Sequence, residues 1–485
     1  MKRAFRLLLP PIAMALAIAS CSRGRDEGPV TVSVIGGAPE ARDPDKGPLD
    51  APGAVLLAAT AQGLVRYDAA GQIEPGAAGQ WDVSSDGLYF TFRTAQGLPV
   101  DAGRIARTLR AAIAPASRNA LKPVLGAIEE IVAVTPEVVE IRMRAPRPNM
   151  LQLLAQPELA IPGKAGGTGP FHIRSHAAAA VLLAPSTTDE EEVDAAERRR
   201  RQVWLRGERA AIAVARFEAG QSALVLGGRF ADLPIARAAK LPANALHFDP
   251  VVGLFGLEIA DADGFAGDAA NRRALSMAID RDRLVKSFAV SGWSKADALV
   301  PGGLADLPAP AQPDFLAIGF AARQAEAREA VAAWTTKHQG GAAHVRVALP
   351  RGPGARLLFA LLRLDWQAVG ITAEAVGPDD PADLRLIDAV APADIASWYL
   401  RHFTCDRSVV CDAQADAALA AARDAPSFPE RNDRLAEADA ILARVMPFIP
   451  IAAPLRWSLV TPRLAGYQDN ARGVHPLNHL RPVNR

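Results

Sequence analysis

A mixed α/β (α+β) architecture spread over two or three domains follows from three features of the chain. Its 485 residues exceed the roughly 250–300 at which a single hydrophobic core stops growing. Apolar runs of period two alternate with segments whose apolar residues recur at helical spacing, so strands and helices are interleaved rather than segregated. Half of the residues are apolar, enough for substantial cores, yet no run beyond Cys21 approaches the roughly 20 apolar residues a membrane-spanning helix needs.

Val30-Thr31-Val32-Ser33-Val34-Ile35 alternates in polarity and stops at Gly36-Gly37, which predicts a strand. A loop rich in Pro, Asp and Gly runs to Gly53, and the small apolar residues 54–61 predict a helix. Residues 63–68 read as a strand that turns at Ala69-Ala70-Gly71. Residues 81–84 and 88–93 face each other across Ser85-Asp86-Gly87, and an Asp-Gly pair between alternating runs supplies the positive φ a tight hairpin demands. Ile105, Leu109 and Ile113 share one helix face, and residues 129–134 and 138–142 are strands split by Thr135-Pro136-Glu137. Residues 270–286 predict one helix gathering Leu275, Ala278 and Ile279, and 432–445 another gathering Leu435, Ala438, Leu442 and Val445. Residues 188–201 predict an exposed helix. Thr188 and Glu191 form a capping box, acids precede arginines, and Glu190/Asp194/Arg198 and Glu197/Arg201 stand at i, i+4. Such a charged face is either solvated or a docking surface.

The amino terminus carries an address. Lys2, Arg3 and Arg6 precede the apolar residues 7–17 and then Ile18-Ala19-Ser20-Cys21, the pattern of a bacterial lipoprotein export signal. Residues 1–20 are then the removed signal, Cys21 the lipid-bearing residue and 21–27 a tether. The other reading is an ordinary signal peptide cut near Ala19. Export leaves Cys405 and Cys411 as an even pair in an oxidising compartment, which predicts a disulfide. Its small ring places it at the lower end of the roughly 2–4 kcal/mol such bonds contribute. Two free thiols, or a metal pair with His402, Asp406 or Asp412, are the other readings.

Function classes are narrowed by what is missing. With 54 basic and 53 acidic side chains there is no excess charge to recruit nucleic acid. The phosphate-loop, zinc-protease and nucleophile-elbow signatures do not occur, so no catalytic residues, cofactor or metal are expected. The pairs His172/His176 and His475/His479 read as surface or structural histidines; Pro476 breaks the helix that would align the second pair.

Five elements in order carry a resemblance: residues 63–68 (Gly-Leu-Val-Arg-Tyr-Asp), 81–88 (Trp-Asp-Val-Ser-Ser-Asp-Gly-Leu), 167–171 (Gly-Thr-Gly-Pro-Phe), 271–281 and 447–451 (Pro-Phe-Ile-Pro-Ile). Residues 358–371 and 456–476 agree with them. Together they resemble the extracytoplasmic solute-binding proteins of peptide and nickel ABC transporters, bacterial solute-binding protein family 5. The resemblance implies a two-lobed periplasmic-binding-protein-like fold with an additional inserted domain. Domain I would comprise 28–62, 165–262 and 455–485, domain II 63–164 and domain III 263–454, with residues 251–259 and 449–457 as hinge strands. It further implies a monomeric, lipid-anchored periplasmic receptor that encloses a peptide or other small solute and hands it to an ABC permease of the inner membrane. A scaffold whose pocket has degenerated, serving as a periplasmic sensor or interaction protein, is the alternative.

The resemblance also nominates site residues. Gly36, Gly37 and Ala38 at the first strand's end would let ligand approach the backbone, and Phe255 would lie nearby on a hinge strand. Peptide-binding relatives place an aspartate in a domain III loop against the ligand's amino terminus. Here that loop offers Asp388 and Asp394, neither in the family's position, with Trp398 and Tyr399 as an aromatic wall or as core. Were Asp394 devoted to ligand, Asp394→Ala would leave the empty protein's melting temperature unchanged. The segment 181–201 also replaces the Asn-Pro-x-Tyr-Trp stretch usual after Thr-Gly-Pro-Phe.

Overall fold

The structure is a computed structural model that describes residues 28–147, 149–163, 167–186 and 194–482. The signal, Cys21 and the tether lie outside these residues, as do Thr188, Glu190 and Glu191. The helix of the 188–201 segment is observed as Ala195–Arg200, with Asp194 accepting from the Ala196 and Glu197 amides at its start and Glu197 paired with Arg201 at 3.0 Å. Among the described residues no helix is long and apolar enough to cross a membrane.

Three sheets organise the chain. The first runs, edge to edge, Leu246–Asp249, Arg456–Val460, Leu224–Arg229, Val30–Ile35, Val203–Glu208, Ala180–Pro185, Phe171–Ala177. Val30–Ile35 pairs parallel to both of its neighbours; Val32, Ser33 and Val34 are therefore fully buried, as expected of a central strand covered on both faces. The second sheet has four antiparallel strands in the order Ala78–Val83, Tyr89–Thr94, Val138–Met143, Ile128–Thr135. Its first hairpin turns where Gly87 adopts φ +69°. The helix Ala102–Ile113 covers this sheet with Ile105, Ala106 and Leu109. The third sheet is mixed, in the order Thr372–Val376, His344–Ala348, Leu384–Val390, Gly253–Ile259, Phe448–Pro450.

The chain passes twice between the first and third sheets. It leaves Asp249 and enters the other sheet at Gly253, then returns from Pro450 to Arg456. The strands expected at 251–259 and 449–457 are thus interrupted: the first is a short connector followed by the third-sheet strand Gly253–Ile259, and the second is the end of Phe448–Pro450, a connector and the start of Arg456–Val460 in the first sheet. Gly253 is required at its crossing, because a Cβ there would meet the Ala389 carbonyl at 2.1 Å. Only these connectors and the packing between lobes fix their relative position.

The helix expected over 270–286 is two helices, Ala269–Ala278 and Arg281–Ser287. Apolar spacing continues through Ile279, but Asp280 turns its carboxylate onto the Arg283 amide at 2.9 Å, and its own amide is taken by Asp365 at 3.0 Å. A side chain that can cap here competes with helix continuation. Arg281 is then buried, donating to the carbonyls of Ser276, Ala296 and Pro450.

One buried ion pair fixes the loop that carries the site. Asp306 and Arg431, with side chains 6% and 4% exposed, meet at 2.9 Å, and Asp306 also accepts from the Ala396 amide at the start of the helix Ala396–Leu400. Arg431→Met leaves Asp306 buried without its counter-charge, which costs about 3–5 kcal/mol. Calorimetric unfolding of the variant is expected to show a clear drop in melting temperature with the native fold retained at low temperature.

Candidate functional site

Where the lobes face each other, carboxylates from one side meet arginines from the other. Asp388, on Leu384–Val390 of the third sheet, pairs with Arg456 of the first sheet at 2.7 Å, the two side chains being 8% and 14% exposed. Asp394 pairs with Arg472 of the C-terminal tail and accepts from Gln152 Nε2 at 3.2 Å. The Asp394 backbone is held as well: its amide donates to Gln152 Oε1 at 3.0 Å and its carbonyl accepts from Asn149 at 2.5 Å. One residue is therefore tied to the helix region after the second sheet and to the tail that follows the first. Gln156 adds a bond to the Pro392 carbonyl at 2.6 Å.

Two cavities flank this junction, with Gln156 lining both. The smaller, about 230 Å³, lies between the helix Ala51–Thr60, the strand ends at Arg229 and Arg456 and the tail at 473–478. Tyr67 stands on its wall, donating to the Gln152 carbonyl at 2.8 Å; burial pushes its pKa up to about 12, so it serves as a neutral donor. Asp249 and His475 form a buried pair at 3.1 Å beneath it, with Tyr467 stacked on the imidazole at 4.6 Å. The larger cavity, about 620 Å³, opens between residues 117–124 and residues 389–407. Its size falls in the range of small-molecule sites.

The nominated residues distribute unevenly. Trp398 lines the larger cavity, packed edge-on against Tyr399 and His402. Tyr399 is fully buried in the core, its hydroxyl without a partner and its pKa raised by burial beside Asp394. Phe255 is core too, edge-on to Phe230 at 4.9 Å, because inward-facing positions of its strand pack against the adjoining helices rather than the cleft. Gly36, Gly37 and Ala38 line neither cavity. The chain itself fills the space beside them: a Cβ at Gly36 would meet Pro52 at 2.6 Å, and one at Gly207 would meet the Gly37 carbonyl at 1.6 Å. Asp388 and Asp394 are brought to the junction already neutralised. Cys405 and Cys411 are disulfide-bonded, and the ring they close presents Arg407 to the larger cavity. His475 and His479 bond to Asp249 and Glu74, and among the described residues no group of ligating side chains is arranged to hold a metal.

Sequence reasoning missed Arg456, Arg472, Gln152 and Asn149. No local pattern marks them: Arg456 is 68 residues from Asp388 and Gln152 is 242 from Asp394.

Two lobes joined by paired connectors, with a cavity between them, define a two-lobed solute-binding protein. Residues 72–401 match the bacterial extracellular solute-binding proteins, family 5 (middle region), and the chain belongs to that family. No curated protein matches the sequence. Among solved structures the chain is similar to OppA of Haemophilus influenzae in complex with RPPGFSPFR (TM-score 0.79, 17% identity, 94% of this chain and 99% of that one). It is also similar to the murein tripeptide-binding protein MppA of Escherichia coli (0.79, 19%, 94% and 98%) and to NikZ of Campylobacter jejuni with Ni(L-His) (0.76, 17%, 94% and 100%). Against the unliganded open form of MppA the TM-score is 0.66 (19%, 95% and 98%).

The ties at Asp394 reverse the expectation that its loss leaves the empty protein undisturbed. Asp394→Ala removes the carboxylate shared by Arg472 and Gln152, so the variant is expected to melt at a lower temperature than the parent and to show a larger radius of gyration in small-angle scattering. Unchanged values for both would show that the junction does not hold the lobes together.

Proposed function

We propose that the protein is the lipid-anchored periplasmic receptor of an ABC uptake system. It acts as a monomer, encloses a peptide or peptide-like solute between its lobes and delivers it to a permease of the inner membrane. One observation carries the reading: the larger cavity opens between residues 117–124 of one lobe and residues 389–407 of the other, beside the two connectors that join them, the arrangement that lets a solute be enclosed and released by hinge motion. Membership of a solute-binding family and the peptide in the OppA complex support it. The lipid anchor is supported by the sequence before Cys21. Binding and hand-over need no bond chemistry.

Thermal shift against a library of di- to pentapeptides tests the solute. A ligand at about 100 times its dissociation constant stabilises by about 2.7 kcal/mol, and at least one peptide is expected to raise the melting temperature; silence across the library would favour the sensor reading. For the anchor, Cys21→Ser is expected to move the protein from membrane to soluble fraction or to leave it as uncut precursor. Recovery in membranes at parental size and yield would refute the anchor.

A further inference from the structure

The larger cavity is lined by Arg118, Lys122, Arg401, Arg407 and Arg472, and by a single carboxylate, Glu158. Little of this charge is spent within the protein. Arg118 and Arg407 are exposed, and among the described residues their guanidinium groups make no hydrogen bond or ion pair. Lys122 Nζ donates only to the carbonyls of Pro115 at 2.6 Å and Ser117 at 3.1 Å. Arg401 donates to the Leu419 carbonyl at 3.0 Å. Arg401 lies in the field of Asp406 and Asp416 and Arg407 in that of Glu258, without hydrogen bonds to them. Among the described residues Arg472 alone of the five makes an ion pair, and it does so with one arm. Its side chain is 9% exposed, Nη2 holds Asp394, and Nη1 is buried without a partner.

Uncompensated charge of one sign in a concave, low-dielectric wall focuses potential and attracts the opposite charge. An orphaned guanidinium N–H is a vacancy shaped for a carboxylate or phosphate oxygen, since arginine recognises such groups with two parallel bonds. The remaining ionisable linings do not offset the charge. Burial raises the pKa of Glu158 and so disfavours its anion. His402 is kept neutral by burial and by Arg407, its Nδ1 lying 2.8 Å from the Trp398 carbonyl, which leaves Nε2 as the ring's open position.

Resting on the reading of the cleft as a solute site, we infer that the solute is anionic, a carboxylate-rich peptide or peptide-like molecule. Its acidic groups enter the larger cavity against Arg118, Arg407 and Arg472, whose Nη1 becomes available by a small side-chain adjustment, and it is not anchored through its amine. Asp388 and Asp394, the carboxylates an amine would require, each hold an arginine, and although Asp388 Oδ2 is unpartnered, neither residue lines a cavity.

The test compares triglutamate, trialanine and trilysine with the whole mature protein, by calorimetry at low ionic strength. Triglutamate is expected to bind at least about tenfold more tightly than trialanine, and trilysine more weakly than either. The Arg118→Gln/Arg407→Gln double variant, which removes no side-chain hydrogen bond or ion pair seen among the described residues, is expected to erase most of that preference. Triglutamate should also raise the imidazole pKa of His402, followed by NMR, because a bound anion stabilises the charged ring. Tighter binding of trilysine or trialanine, or a triglutamate preference untouched by the double variant, overturns the inference while leaving the solute-binding reading in place. Failure of all three to bind at about 1 mM, the weak end of useful affinity, overturns both.

Discussion

The disposition of the lobes depends on what meets across their junction: an apolar core shared by both, Arg237 on the Phe288 and Ala289 carbonyls, and arginine–carboxylate pairs that add charge specificity. Only two short connectors link the first and third sheets, and nothing in either sheet's hydrogen bonding fixes the angle between them. That angle is set by what touches across the gap. Arg456–Asp388 lies largely buried, and Arg472–Asp394 with Gln152 and Asn149 lies at its margin. A buried pair of this kind contributes little net stability against an apolar substitute, but breaking it on one side is costly. Its effect is specificity: among the positions two hinged lobes could take, it selects one in which guanidinium and carboxylate meet. The half-exposed Asp394 pair is screened by solvent and is the weaker member, which suits a contact that must open during a binding cycle.

Local signals made much of the fold legible. Val30–Ile35 alternates and is a strand; the Asp86-Gly87 turn joins the expected hairpin; Ile105 and Leu109 lie against the sheet as their spacing requires. The failure at Ile279 is instructive, because apolar periodicity and a capping aspartate gave opposite answers for adjacent residues and the cap prevailed. Periodicity reports which face can be buried, not whether the backbone continues.

The site was legible by chemistry and not by geometry. A loop bearing Asp388, Asp394 and Trp398 was recognisable as the place where a ligand group might be met, and that loop does reach the junction. Its arginine partners come from the first sheet's strand Arg456–Val460 and from the C-terminal tail, and its amide partners, Asn149 and Gln152, from the start of the short helix Met150–Leu154 that follows the second sheet. Pairings of that separation leave no trace in one sequence. The glycines misled for a related reason. A glycine marks close approach of something to the backbone, and at Gly36 and Gly207 that something is the protein's own chain.

The geometry of Arg472 links ligand charge to lobe closure. With Nη2 on Asp394 and Nη1 unpartnered, the guanidinium can accept an anion without releasing the aspartate; the anion would add a second negative partner to a cation already placed between lobes. A cationic solute would meet carboxylates that already hold arginine: Asp394 on Arg472, and Asp388, whose Oδ2 is unpartnered but lies outside both cavities. Competing with Arg472 for Asp394 would break a contact between the lobes. Binding free energy can bias a hinge only by its difference between the two arrangements. The inferred anion, if bound to Arg472, would therefore add its contribution to the arrangement in which Arg472 and Asp394 meet, and that is how solute charge would couple to the hinge.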